Sequence, residues 1–483
     1  MKEGSPLTVS SLPKVEYRKG SVVKHDGYEI TDHWFQVPLT HGLIFSKGKD
    51  AALSSRFADQ TITVFAREVV NTNETLTVSA DKRPYIVYLQ GGPGFGSPKT
   101  GSIGGWIAEL AKTHRVILLD QRGTGMSSPL SARNITAVGD AQVQAEYTEL
   151  FRADSIIADA EAVREVLLAD RADKRWSTIG QSFGGFLTLS YLSFAPQSLR
   201  DCRITAGLAP IRTSVDNVYQ HTFDRMKERV EEYYSWFPED AELATRIAEH
   251  LRTHKEYLPT GERLTDHRFQ MAGHFLGGRW RERGLHYFLE TAFAEGNDHL
   301  SDQFLTAMGA EVTFQANPLY ALMHETIYAD GPSDGVLPGI PGYTISPSPA
   351  PTNWSAARVA ASRPEFAPDA DRLLFTGEHI FPWYYEEDPS LRPLAEVANL
   401  LAEKKDWGRL YDHEQLHKNE VPVVAAAYNP DVYVDFEHSM ETARWVGNTQ
   451  VWTSKTHHHD GLGSDSLTIL GHLKNMLAEV HNQ

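Results

Sequence analysis

Polar and apolar residues alternate in the opening stretches of the chain, such as DHWFQVPL (32–39) and QTITVFAREVV (60–70). This period of two, rich in β-branched and aromatic residues, predicts antiparallel strands over the first eighty residues. The pattern then changes. PYIVYLQ (84–90) and RVILLD (115–120) are apolar at nearly every position and end at turns bearing glycine or charge. Such runs are expected of parallel strands covered on both faces. Ile156, Ala160, Val163 and Leu167 repeat at helical spacing, with Asp154 or Ser155 as the cap. A third buried strand near 175–180 leads into GQSFGGFLTLSYLSFAP, and a fourth lies near 203–207. Strands alternating with helices predict an α/β sheet.

From about 213 the spacing becomes helical without intervening buried strands. Phe223, Met226, Val230, Tyr233 and Phe237 recur at intervals of three and four among charged residues, as in an amphipathic surface helix. Residues 331–353, GPSDGVLPGIPGYTISPSPAPTN, are rich in Pro, Gly and Ser and predict an irregular loop. Past 420 the α/β pattern returns with VPVVAAAY, TQVWTS and a last helix on Leu470, Leu473, Leu477 and Val480. The predicted organisation is a core of residues 1–212 with a β-rich start, a mostly helical insertion over 213–415, and the rest of the core over 416–483.

Composition narrows the function. The chain has 483 residues, of which 41% are hydrophobic and 10% aromatic, enough for a sizeable core. A length prior of about 150 residues per domain allows three units, but a core with one large insertion also holds this much chain. The formal charge of −17 argues against nucleic acid or an anionic membrane as partner. No apolar run approaches the roughly 20 residues of a membrane span, and the first twenty lack the apolar region of a secretory signal. Cys202 is the single cysteine, so neither an internal disulfide nor a cysteine-based zinc site can form. A soluble cytoplasmic protein is expected. The acidic surface fits a monomer or a symmetric assembly equally.

Three strings carry candidate chemistry. Gly180-Gln181-Ser182-Phe183-Gly184-Gly185 follows a predicted strand and precedes a helix. There a G-x-S-x-G string makes a nucleophile elbow, in which a sharp turn thrusts the serine hydroxyl out of the sheet. Gln90-Gly91-Gly92-Pro93-Gly94-Phe95-Gly96 follows the strand PYIVYL, where glycines let backbone amides face a developing oxyanion. It lacks the Gly-Lys-Ser/Thr ending of a phosphate loop. Asp120-Gln121-Arg122-Gly123-Thr124-Gly125 reads as structural, with Asp120 and Arg122 bracing the loops around the elbow.

In this order the three strings resemble those of the proline iminopeptidase family of α/β-hydrolases, with Gln90 standing where shorter members have histidine. NPLYALMHETIY (317–328), TGEHIFPWYY (376–385) and YVDFEHSMETA (433–443) are similar to the longer members, so the resemblance spans roughly residues 30–470. The stretch 331–353 is longer than the family pattern, a departure expected to bear on the entrance to the site. The resemblance implies an α/β-hydrolase fold with a helical cap inserted in a mostly parallel sheet. In that fold the acid and the histidine follow the serine in sequence. Six late histidines, His438, His457, His458, His459, His472 and His481, qualify by position. His459 matches the family's His-Asn-Gly-Leu pattern. Adjacent histidines point apart, and no carboxylate cluster completes a metal site at 457–459. For the acid, the family's Tyr-Asp turn aligns with Tyr428 to Asp431, and Asp435 is the rival.

The implied reaction is acyl transfer by Ser182, His459 and Asp431, with an oxyanion hole from the amides of Phe183 and of Gly91 or Gly92. It needs neither a metal nor an organic cofactor. The resemblance further implies release of an N-terminal residue, preferably proline, from short peptides with a free N-terminus. Cap glutamates would hold the ammonium, with Glu325 preferred and Glu378 second. HETIY is not a zinc-protease HExxH, since position 328 is Tyr. Phe95, Phe183, Trp383 and Tyr384 are candidate walls for the pyrrolidine ring. An esterase or amidase on the same scaffold, indifferent to a free amine, is the alternative.

Overall fold

The computed structural model describes residues 15–41, 55–99, 101–294, 296, 298–331 and 351–481. Most of the Pro-rich stretch, 332–350, lies outside them.

Nine strands form one sheet: β1 (Glu16–His25), β2 (Tyr28–Pro38), β3 (Thr61–Asn71), β4 (Tyr85–Leu89), β5 (Arg115–Asp120), β6 (Trp176–Gln181), β7 (Leu199–Thr205), and, after the ribbon strands β8 (Glu256–Tyr257) and β9 (Arg263–Leu264), β10 (Val423–Tyr428) and β11 (Thr449–Ser454). Their order is β1-β2-β3-β5-β4-β6-β7-β10-β11. The first three strands are antiparallel to their neighbours, and those from β5 to β11 run parallel. The reason is visible in the residues. Every residue of β4 and of β10 is buried, as strands covered on both faces require. β2 alternates, burying His33, Phe35 and Val37. β1 is almost wholly exposed and carries Arg and Lys, the composition that keeps an edge from pairing with another chain.

Helices cover both faces. Gly105–Ala111 and Ser466–His481 pack with Ile86, Tyr88, Val116, Leu118 and Val424 on one side. Ala153–Leu167 and Phe183–Phe194 cover Val87, Leu89, Ile117 and Ile204 on the other. The latter apolar cluster continues without a break into the helices that lie between β7 and β10. In Val215–Trp236 the stripe Phe223, Met226, Val230 and Tyr233 is fully buried, so this charged helix turns only one face to water. That region holds one strand pair among the described residues, the two-residue ribbon β8–β9. No helix among the described residues is long and apolar enough to cross a membrane.

Candidate active site

Ser182 stands between β6 and the helix Phe183–Phe194 at φ 56, a left-handed conformation that a non-glycine residue adopts only under constraint. The constraint is packing. A Cβ on Gly180 would lie 2.2 Å from the carbonyl oxygen of Gly184, and one on Gly184 would lie 1.8 Å from that of Leu89. Only glycines allow the strand, the turn and the neighbouring strand to meet so closely. The turn holds the Ser182 hydroxyl at the carboxyl end of the sheet, ahead of the first turn of a buried helix.

The Gly91–Gly96 loop lies directly over this turn. A Cβ on Gly91 would be 2.8 Å from Gln181 Oε1 and 3.0 Å from Ser182 Cβ. Among the described residues no hydrogen bond consumes the N–H groups of Gly91, Gly92 or Phe183, so all three remain as donors beside Ser182. The third motif braces this arrangement. Gln121 Nε2 donates to the Gln90 carbonyl at 2.8 Å, and Asp120 accepts from the N–H of Ser97 at 2.7 Å and of Met126 at 2.8 Å. Arg122 makes a two-pronged ion pair with buried Asp159, with both contacts at 2.7 Å.

His459 and Asp431 meet as the motif order predicts. Asp431, past the end of β10, accepts the backbone N–H groups of Tyr433 and Val434 through Oδ1 at 2.9 and 3.1 Å. Its Oδ2 lies 2.9 Å from His459 Nδ1. Asp435 does not reach the histidine. It caps the helix Phe436–Trp445 and accepts from Arg225 Nε at 3.0 Å. The neighbouring histidines point elsewhere, His457 to Ser454 and Asp465. Gln181 Nε2 donates to the His459 carbonyl at 3.2 Å, tying the histidine loop to the elbow. Among the described residues no hydrogen bond joins the Ser182 hydroxyl to His459. Burial disfavours the imidazolium of His459, but Asp431, and after it Glu378, outweigh burial and raise its pKa.

Glu378 is thus part of the same electrostatic unit. Burial pushes its carboxyl up, yet His324 beside it, with His459 and His274, overcomes this and holds it at about 2. Its Oε2 is 3.7 Å from His324 Nε2, and 24% of its side chain remains accessible, so the ionised carboxylate is partly open to solvent. Tyr433 links His459 to His274: its ring stands 4.9 Å from that of His459, and its hydroxyl donates to the His274 carbonyl at 3.1 Å. His274 in turn contacts the Gly377 carbonyl at 3.0 Å.

Glu325 has a different role. Its Oε1 accepts the N–H of Ala356 at 2.9 Å, in the first turn of the helix Ser355–Ala361, and burial raises its pKa. The two glutamates are thus placed differently: Glu325 is buried against a helix start, whereas Glu378 stays partly accessible and acts electrostatically on His459. The expected walls also divide. Phe183 borders a small cavity with Pro93, Phe151, Met323, Ile327 and Tyr411. Phe95 packs on Tyr320, with rings 5.4 Å apart. Trp383 stands against Phe381 and His267, and the Tyr384 hydroxyl donates to the His379 carbonyl at 3.0 Å. Sequence reasoning missed His324, His274 and Tyr433. No local string pairs them, because His324 meets Glu378 from a distant part of the chain.

A family model described as alpha/beta hydrolase fold matches residues 84–254. A proline iminopeptidase of Aeromonas sobria is 40% identical over 93% of this chain and 96% of its own. Proline iminopeptidase aneH of Aspergillus aculeatus is 34% identical over 91% of this chain and 92% of its own.

Proposed function

The chain belongs to the proline iminopeptidase family of α/β-hydrolases, and from that premise we propose that it releases N-terminal proline from short peptides by acyl transfer to Ser182. His459 takes the hydroxyl proton as Ser182 Oγ attacks the carbonyl of the first residue, and Asp431 holds the imidazole tautomer. Negative charge gathers on the carbonyl oxygen, facing the N–H of Phe183 and of Gly91 or Gly92; one such donor typically contributes about 3 kcal/mol. The tetrahedral adduct collapses to a prolyl ester on Ser182, and His459 returns the proton to the departing amine. Water, deprotonated by His459, then hydrolyses the ester. Substrate-free triads are often loose and tighten on binding, which is consistent with the absent Ser182–His459 hydrogen bond.

The single observation that carries the exopeptidase reading is Glu378, an ionised carboxylate that stays partly accessible and acts electrostatically on His459. Proline at a free N-terminus carries a secondary ammonium with two N–H donors, which such a carboxylate pairs with beside the scissile carbonyl. The chain between β7 and β10 supplies both Glu378 and its neighbour His324 from irregular segments between its helices, and we assign this region the role of a substrate-binding cap. The test is turnover of proline β-naphthylamide, its N-acylated analogue and alanine β-naphthylamide. Fast release from the free imino substrate alone supports the reading. Equal or better turnover of the acylated compound makes the protein an esterase or amidase instead.

A further inference from the structure

Away from Ser182, the helix Val215–Trp236 and the helix Phe436–Trp445 face each other across an open cleft of about 540 Å³. Asn217, His221 and His438 line it, and Asp435 caps the second helix at the same point. We propose that His221 Nε2, His438 Nδ1 and the Asp435 carboxylate form a binding site for a divalent transition-metal ion such as Zn²⁺.

The argument rests on where the ring hydrogens go. His221 Nδ1 lies 2.9 Å from the backbone carbonyl of Asn217, so that nitrogen carries the hydrogen and Nε2 keeps its lone pair. His438 Nε2 lies 2.9 Å from Asn217 Oδ1, so its hydrogen is there and the lone pair is on Nδ1. Thr213 Oγ1 donates to the same Asn217 Oδ1 at 2.8 Å and fixes the amide's orientation. One asparagine therefore orients both imidazoles through their outer nitrogens, the arrangement by which metal-binding histidines are set. His438 is 7% exposed, and its Nδ1 has no hydrogen-bond partner. A buried acceptor left unpaired is costly unless something occupies it.

Spacing agrees with this. Two ligand atoms about 2.1 Å from a tetrahedral ion stand about 3.4 Å apart. His438 Nδ1 and Asp435 Oδ1 are 3.6 Å apart, and one possible ligand atom from each of the three side chains lies within 4.8 Å of the others. The rings of His221 and His438 are 4.3 Å apart. Asp435 is not wholly free, since Oδ1 accepts the N–H groups of Glu437 and His438, and Arg225 holds Oδ2 at 3.0 Å. The positive charge of Arg225 is shared with Glu228 at 3.0 Å and Glu437 at 3.7 Å. Glu437 and Glu441 stand on the cleft wall with Arg444, and the opening leaves room for water to complete the coordination. The ion would pin the helix carrying His221 to the one that begins five residues after Asp431.

The test is calorimetric titration of the metal-free full chain with Zn²⁺, beside His221→Ala, His438→Ala and Asn217→Ala. The expected result is one ion per chain with a Kd of about 1 µM or tighter. Loss of either histidine should weaken it by more than about 100-fold, and loss of the orienting amide by about 10-fold. A Zn²⁺-dependent rise in Tm, absent in His221→Ala, should accompany binding. His221 is half-buried at the cleft wall, so its variant remains informative should His438→Ala fail to fold. Absence of binding, or binding that His221→Ala leaves unchanged and so belongs to the histidines around Glu378, overturns the proposal.

Discussion

Replacing Glu378 by Gln removes one charge, keeps the side chain's shape and probes what sets this site apart from a simple esterase. Two unit charges about 4 Å apart at an effective dielectric of about 20 attract by about 4 kcal/mol. A quarter of the Glu378 side chain is accessible, which screens the pair, and the amide keeps one hydrogen bond. The net loss is therefore set nearer the 2–3 kcal/mol of a charge-assisted hydrogen bond. At about 1.4 kcal/mol per factor of ten, kcat/KM for proline β-naphthylamide should fall roughly 30- to 150-fold. The loss must be selective: an N-acylated or simple ester substrate has no ammonium to lose and should change by no more than about threefold. A second readout comes from the same charge. Glu378 helps raise the pKa of His459, so in the Gln variant the acid limb of the kcat/KM profile should move to lower pH. Equal losses on both substrates, or an acid limb that stays in place, would refute the reasoning.

Asp431→Asn should lower kcat by about 10⁴, since it leaves the imidazole in the wrong tautomer, and the acid limb should again fall. In the unmodified protein that limb should lie above the ordinary imidazole value of about 6.5, because His459 acts as a base only when neutral and its pKa is raised. Glu325→Gln can still accept from Ala356 while shedding a buried charge; stability in urea at pH 7 should be unchanged or higher, and kcat/KM should fall far less than in Glu378→Gln. Gly184→Ala forces a methyl to within 1.8 Å of the Leu89 carbonyl oxygen and should give no soluble folded protein on expression.

The parallel strands and the elbow were legible because their causes are local. VVAAAY, short and apolar at every position, reads as a strand covered on both faces and is one, and the glycines around Ser182 mark a turn that admits no Cβ. Position left six late histidines, and His459 was singled out by the resemblance of His459-Asp460-Gly461-Leu462 to the family pattern. The acid was harder, because both Asp431 and Asp435 follow β10. A cap signature was readable even so, since Asp435 directly precedes the helical run that begins at Phe436. The two glutamates were not separable. Each sits in a Glu–His string, and what distinguishes them is a distant partner: the Ala356 N–H for Glu325, and His324 with His459 for Glu378. Such partners arise only when the chain folds, so no window of sequence contains them. The pairing of His221 with His438 is of the same kind.

The most direct test of the central claim is mass-spectrometric mapping of the protein after reaction with a diphenyl phosphonate analogue of proline bearing a free imino group. The account predicts one adduct, on Ser182, with the N-acylated phosphonate unreactive over the same time. An adduct on another residue, or equal labelling by the acylated compound, would contradict it.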